Sequence, residues 1–138
     1  MPEKILLIDD DAFFVDAMKT AIVSRGYSVI TASNGKEGIE KAKLENPDLV
    51  VLDVMMTNRT EGIYVCRNLR SDPRLKNTPI IMLSAIGTIE KGFDFSPDEG
   101  WLPADKFLSK PIDVKVLSEE IRIALEKKKA MRAKGPQG

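Results

Sequence analysis

The sequence predicts a three-layer α/β fold, in which helices cover both faces of a parallel five-stranded sheet. Five short apolar runs alternate with stretches of helical periodicity, which is the element order of a parallel sheet with right-handed crossovers. The runs ILLI, LVVL and IIML are continuous rather than alternating, as expected of strands buried on both faces. The length of 138 residues suits one domain, and 43% apolar residues suffice for its core.

The predicted strands are the five apolar runs. They are Lys4–Ile8, Ser28–Ala32, Asp48–Asp53, Pro79–Ser84 and Lys106–Ser109. Pro79 fits the start of a strand, because proline lacks the N–H group that a central position in a sheet requires.

Helical patterns fill the intervals between these strands. From Ala12 to Arg25, apolar residues recur at the spacing of one helical face, and Gly26 ends the helix. Asn34 followed by Glu37 resembles a capping box at the start of the second helix. The remaining helices are predicted at Gly62–Ser71 and after a capping residue, Asp113.

Two segments depart from this regular alternation. Residues 86–105 are dense in Gly, Pro and Asp where a full helix would be usual, so we expect at most a short helix at residues 88–91 and then a long loop. Residues 129–138 are predicted to form a flexible tail after a domain at residues 1–128.

Composition excludes several classes of function. Lys plus Arg equals Asp plus Glu at 21 each, and the pattern contains no helix-turn-helix unit, so neither nucleic acid nor membrane is expected as a partner. The absence of histidine excludes Ser-His and Cys-His catalysis. A single cysteine, Cys66, excludes an internal disulfide. With no signal peptide and no apolar run long enough for a membrane span, we expect a cytoplasmic protein.

Polar residues stand at the carboxyl ends of the predicted strands, where open parallel sheets place their functional crevice. These residues are Asp9, Asp10, Asp53, Ser84 and Lys110. Two carboxylates about 4 Å apart repel by roughly 4 kcal/mol at an effective dielectric constant of about 20. Such a cluster is therefore either well solvated or suited to binding a cation.

Four motifs in order, LLIDDD, VVLDVMM, IIMLSA and FLSKPID, resemble the receiver domain of two-component response regulators of the stand-alone, chemotaxis-receiver-like type. The resemblance extends from about Lys4 to Lys128. It implies the flavodoxin-like, doubly wound fold with strand order 2-1-3-4-5. The segment 86–105 would be an atypical replacement or shortening of the fourth helix of that fold.

The resemblance also implies a magnesium site and a phosphoacceptor. Asp53 would accept the phosphoryl group. Asp10 and Asp53 would ligate Mg²⁺ directly, together with the backbone carbonyl of Met55, while Asp9 would act mainly through a metal-bound water. Mg²⁺ prefers a few carboxylates with water and phosphate oxygens, which agrees with these residue types.

Further implied roles belong to the fourth and fifth strands. Ser84 would donate a hydrogen bond to one phosphoryl oxygen, Lys110 would pair with another, and Phe107 would rotate as a switch when Ser84 moves. The phosphoryl donor would be a histidine kinase or phosphotransfer protein, and the output an unknown downstream protein. The chain would be mainly a signalling protein with self-phosphorylation and slow self-dephosphorylation, as a monomer or weak homodimer.

Two other functions fit parts of the sequence. A pseudo-receiver would use the same fold as a binding module without phosphorylation. A haloacid-dehalogenase-like phosphatase would use Asp9 as nucleophile and Asp11 as acid/base, although Asp11 also fits the N-cap of the first helix. Against the phosphatase, Phe13 replaces the usual Thr or Val, a cap domain has no room, and Asp53 has no role.

Overall fold

The computed structural model describes residues 2–53, 59–85, 106–110 and 112–133. From the first strand to the fourth, strands and helices alternate along the chain as predicted. They are β1 (Lys4–Ile8), α1 (Ala12–Ser24), β2 (Ser28–Ala32), α2 (Gly35–Glu45), β3 (Leu49–Asp53), α3 (Arg59–Ser71), β4 (Ile80–Ala85), β5 (Lys106–Lys110) and α4 (Val114–Ala133). The loop predicted at residues 86–105 lies outside the described residues. Helix α4 continues past residue 128, and residues 134–138 are also outside the description.

The five strands form one parallel sheet in the order β2-β1-β3-β4-β5, which confirms the predicted strand order. Strand β1 lies between β2 and β3, so the order along the sheet reverses beside β1. In doubly wound folds the carboxyl ends of the strands at such a reversal form the functional crevice.

Alternate residues of the buried strands supply two separate cores. On β1, Leu6 and Ile8 belong to the core under α2 and α3, whereas Ile5 and Leu7 belong to the core under α1 and α4. All four side chains have 0% exposure. The continuous apolar runs thus arise because the sheet is covered on both faces.

Side chains and glycines define where the first two helices begin and end. Asp11 caps α1, and Gly26 follows it with a positive φ of 95°. Asn34 caps α2 by accepting a hydrogen bond from the amide of Glu37 at 2.8 Å. A Cβ atom at Gly38 would lie 2.5 Å from Cδ1 of Ile8, so the absence of a side chain lets α2 approach β1 closely.

An ion pair and a hydrogen bond tie the end of α4 to the opposite, amino-terminal edge of the sheet. Lys129 Nζ lies 2.8 Å from Glu3 Oε2, and Lys128 Nζ donates to the carbonyl oxygen of Asp48 at 3.2 Å. The hydrogen bond from Lys129 lowers the pKa of Glu3 below its ordinary value. Within the part of the chain that the structure describes, no helix combines the length and apolar character that crossing a bilayer requires.

Candidate metal site at the carboxyl edge of the sheet

The register of β1 and β3 brings two acids together. Ile8 pairs with Leu52, so Asp9 and Asp53 occupy the next position on each of two neighbouring strands. Neighbouring strands lie about 4.8 Å apart, close enough for carboxylates at the same level to meet. Asp9, Asp10 and Asp53 each offer a carboxylate oxygen, and these three atoms all lie within 4.8 Å of one another. The structure therefore brings together the three acids that the sequence singled out.

Two of the three carboxylates in this cluster are buried, so their charges need compensation. Asp9 is 2% exposed and Asp53 is 4% exposed, whereas Asp10 is exposed to solvent. Carboxylates at such depth need hydrogen bonds or a counter-charge, because burying an uncompensated charge costs several kcal/mol. One compensation is local: Asp9 Oδ1 accepts a hydrogen bond from the backbone amide of Asp11 at 3.0 Å.

Asp11 has a different role from its two neighbours. Its Oδ1 accepts hydrogen bonds from the amides of Phe13 at 3.1 Å and Phe14 at 3.2 Å. This satisfies amides that would otherwise have no partner at the start of α1 and confirms Asp11 as the predicted N-cap. Asp11 is not part of the group of acids that could share one ion among the described residues.

The three remaining acids fit a small, hard cation. Mg²⁺ binds oxygen atoms at about 2.0–2.1 Å in an octahedron, so opposite ligands lie about 4.2 Å apart and adjacent ones closer. The carboxylate oxygen atoms of this cluster, all within 4.8 Å of one another, are close to that spacing. Carboxylates without histidine or cysteine favour Mg²⁺, Ca²⁺ or Mn²⁺ over softer metals.

The other residues predicted for the site belong to β4, β5 and the loop after β3. Ser84 pairs in register with Ser109, Ala85 with Lys110, and Met82 with Phe107. For Ser84, Phe107 and Lys110 the structure describes the strand backbone only, so their predicted side-chain roles stay predictions. Met55 lies outside the described residues, and its role as a carbonyl ligand likewise stays a prediction.

A cleft of about 330 Å³ adjoins the acids on the side of β2 and contains a contact that the sequence reasoning missed. Asp9 and Asp10 line it together with Glu37 and Lys41 of α2. Glu37 Oε1 accepts hydrogen bonds from the Ser33 amide at 2.6 Å and the Ser33 hydroxyl at 3.1 Å, and these bonds lower the pKa of Glu37. In a capping box, the Glu37 side chain would accept a hydrogen bond from the backbone amide of Asn34. Here it accepts from the amide of Ser33, one residue earlier.

Comparisons with known proteins agree with this geometry. A family model described as the response regulator receiver domain matches residues 5–122. The alkaline phosphatase synthesis transcriptional regulatory protein PhoP of Bacillus subtilis is 37% identical over 128 residues, which cover 92% of this chain and 50% of that protein. The DNA-binding dual master transcriptional regulator RpaA of Synechocystis is 35% identical over 127 residues, covering 90% and 49%.

A solved receiver-domain structure has the same fold. The receiver domain of the Francisella response regulator 1452 aligns with a TM-score of 0.77 at 28% identity, covering 91% of this chain and 98% of that one. This chain spans only about half the length of the PhoP and RpaA relatives.

These relatives correct the prediction about partners. The exclusion of nucleic acid is wrong, because the relatives are named as transcriptional regulators and RpaA as DNA-binding. The exclusion relied on balanced charge and on the lack of a helix-turn-helix pattern in this chain. Since the match covers about half of each relative, those observations carry no information about DNA binding by the other half.

Proposed function

The chain belongs to the response regulator receiver domain family, and on that premise we propose that Asp53 accepts a phosphoryl group from phosphohistidine in a Mg²⁺-dependent reaction. The donor would be a histidine kinase or a phosphotransfer protein. The observation that carries this proposal is the meeting of Asp9, Asp10 and Asp53, from two strands, with oxygen atoms within 4.8 Å of one another.

Each acid has a separate task in the proposed reaction. Asp53, at the end of a fully buried strand, presents its carboxylate as the nucleophile. Asp53 and the exposed Asp10 would also ligate the metal directly, and Asp9, which the Asp11 amide orients, would act mainly through a metal-bound water. Bound Mg²⁺ would supply the positive charge that offsets repulsion between these carboxylates and the incoming phosphoryl oxygens.

The transfer conserves atoms and charge in a simple way. The P–N bond of phosphohistidine breaks, and its electron pair goes to the imidazole nitrogen. A P–O bond forms to a carboxylate oxygen of Asp53, which becomes an acyl phosphate. Little covalent chemistry is required of the protein beyond positioning and charge stabilisation, which is typical of phosphoryl transfer.

Residues of β4 and β5 complete the proposal. Ser84 would donate to one oxygen of the new phosphoryl group, and Lys110 would pair with another as a point charge. Their backbones at the same carboxyl edge support this assignment. Met55 would add a carbonyl ligand to the metal, and Phe107 would respond to a shift of Ser84.

We propose that residues 1–128 act as the receiver and that phosphorylation changes how this unit contacts a downstream protein. The added group brings about −1.5 to −2 of charge to the carboxyl edge, enough to reorganise nearby polar groups. The names of the PhoP and RpaA relatives support transcriptional control as the process that such a signal serves.

Phosphorylation with mapping of the labelled residue tests this function. The chain is incubated with acetyl phosphate, or with a phosphorylated histidine kinase, in Mg²⁺ and separately in EDTA. We expect Mg²⁺-dependent label on Asp53 and none in Asp53→Asn. Label on Asp9 would instead favour the phosphatase alternative. If Asp53→Asn changes neither labelling nor partner binding, the chain is a pseudo-receiver.

A further inference from the structure

The cleft beside the acids brings Asp9 close to β2 and α2. The cleft of about 330 Å³ is lined by residues of α1 and α2, including Glu37 and Lys41, and by Asp9 and Asp10. On this side, the backbone at the end of β1 is joined to β2 by a hydrogen bond.

The carboxyl end of β2 provides such a bond. The amide of Asp9 donates to the carbonyl oxygen of Ala32 at 3.0 Å. Ala32 is 3% exposed and is the last residue of β2, which lies at the edge of the sheet. Any movement of the Ala32 carbonyl group therefore reaches the backbone that carries the Asp9 carboxylate.

The residues on either side of Ala32 are each fixed by one side chain of α2. Lys41 Nζ donates to the carbonyl oxygen of Thr31 at 2.5 Å. The Ser33 amide donates to Glu37 Oε1 at 2.6 Å. Successive carbonyl groups of a strand point to opposite sides, so the Thr31 carbonyl faces the open edge while that of Ala32 faces β1. Lys41 thus takes the place of a missing neighbouring strand.

We propose that Glu37 and Lys41 form a positioning pair that holds Asp9 in the geometry required for binding the divalent cation. The two side chains lie on one face of α2, with Lys41 Nζ 3.6 Å from Glu37 Oε2, so each restrains the other. This inference rests on the proposed function, because it concerns the affinity of the same metal site.

Charge alone predicts a different outcome from positioning. Removing Lys41 makes the cleft more negative and would strengthen cation binding by Coulomb attraction, whereas removing Glu37 would weaken it. Loss of positioning weakens binding in both cases. Substituting the two residues separately by methionine, which fills similar volume without charge, therefore separates the two effects.

Isothermal titration calorimetry with Mg²⁺ is the main measurement, on the unsubstituted chain, Glu37→Met and Lys41→Met. Glu40→Met and Lys36→Met are matched controls, because both residues are exposed on α2 and make the same charge changes. We expect about tenfold weaker Mg²⁺ binding in each test variant, the lower end of the effect of losing residues that orient metal ligands. The controls should stay within about twofold of the unsubstituted chain.

Amide hydrogen exchange in the metal-free protein supplies an independent readout. The Asp9 amide should exchange faster in both test variants, while the thermal unfolding midpoint changes little because the pair is about one-third exposed. If Lys41→Met fails to fold, Lys41→Gln serves, since it removes the charge and shortens the side chain that reaches the Thr31 carbonyl. Positioning predicts weaker Mg²⁺ binding in this variant, whereas charge alone predicts tighter binding.

Several results would overturn this inference. Tighter binding in Lys41→Met with weaker binding in Glu37→Met would show that charge, not position, matters. Affinities and Asp9 exchange rates equal to those of the controls would show that the pair has no effect on the site. If the unsubstituted chain binds no Mg²⁺, the proposed function fails first, and the inference fails with it.

Discussion

The carboxylate of Asp9 accepts a hydrogen bond at 3.0 Å from the backbone amide of Asp11, the residue that caps helix α1. Two acids separated by one residue therefore have unlike roles: the buried one is oriented, and the exposed one starts a helix. Asp10 between them is exposed and belongs to the group that could hold an ion. The three adjacent aspartates are thus compatible with one another because only one of them is buried.

Asp11→Ala should lower the free energy of unfolding by about 1 kcal/mol, because the amides of Phe13 and Phe14 lose their acceptor. The backbone amide that orients Asp9 remains, so we expect Mg²⁺ affinity to change by less than about threefold. Urea unfolding and calorimetry measure the two quantities. Asp11→Asn, which keeps a capping oxygen, is the control; an equal loss of stability in both variants would contradict the capping role.

Asp10→Asn should stabilise the metal-free chain by about 1 kcal/mol, because it removes the exposed member of three mutually repelling charges. The same change should abolish the stabilisation that excess Mg²⁺ gives the unsubstituted chain, about 2.7 kcal/mol at a hundred times the dissociation constant. Urea unfolding in EDTA and in Mg²⁺ tests both. Asp16→Asn, at the same cleft but outside the acidic group, should neither raise the stability in EDTA nor abolish the stabilisation by Mg²⁺. A lower stability of Asp10→Asn in EDTA would count against repulsion at this site.

Patterns along the chain sufficed for the strand order and for the meeting of the acids. Continuous apolar runs imply a sheet covered on both faces. Asp9 directly follows one such run, and Asp53 ends another. In a parallel sheet without offset, residues at equivalent positions of neighbouring strands must meet at one edge. The role of Asp11 as N-cap was also predictable, because capping involves only three or four successive residues of the sequence.

Contacts that depend on how α2 sits against β2 could not be predicted in this way. The Glu37 side chain was expected to cap its own helix, yet it bonds Ser33, and Lys41 reaches a carbonyl group ten residues earlier in the sequence. Neither contact follows from a spacing rule, because each depends on the distance between a helix and an edge strand. Helix α3 also begins at Arg59, earlier than the Gly62 predicted from apolar periodicity.

Gly38→Ala should destabilise the fold by about 1–2 kcal/mol despite the better helix propensity of alanine. The added Cβ would lie 2.5 Å from Cδ1 and 2.9 Å from Cγ1 of Ile8, whose side chain is 0% exposed. Chemical denaturation measures the loss. In the Ile8→Val background, which lacks that Cδ1 atom, Gly38→Ala should cost clearly less. Equal losses in both backgrounds would exclude this clash as the cause.

Phe13→Ser should reduce phosphotransfer from a histidine kinase by about tenfold or more, while labelling by acetyl phosphate is unchanged. Phe13 is 90% exposed and follows the acidic residues directly, so it contributes little to the core and is available to a protein donor docking at Asp53. Initial labelling rates with the two donors measure the effect. Leu44→Ser, also at an exposed apolar residue (82%) but at the far end of α2, is the control. Equal loss with both donors would contradict a docking role.

The pair of Glu3 and Lys129 should make part of the stability depend on pH. The hydrogen bond from Lys129, 2.8 Å between Nζ and Oε2, lowers the pKa of Glu3 in the folded state. The folded chain therefore holds its Glu3 proton less tightly than the unfolded chain, whose glutamate pKa is about 4.3. The resulting stabilisation is complete above that pH and disappears as the pH falls through the lowered value. Lys129→Met should return the Glu3 pKa, followed by NMR of its carboxyl carbon, toward the ordinary value, and Lys127→Met should not. An unchanged pKa in Lys129→Met would mean that α4 is not held to the N-terminal segment by this contact.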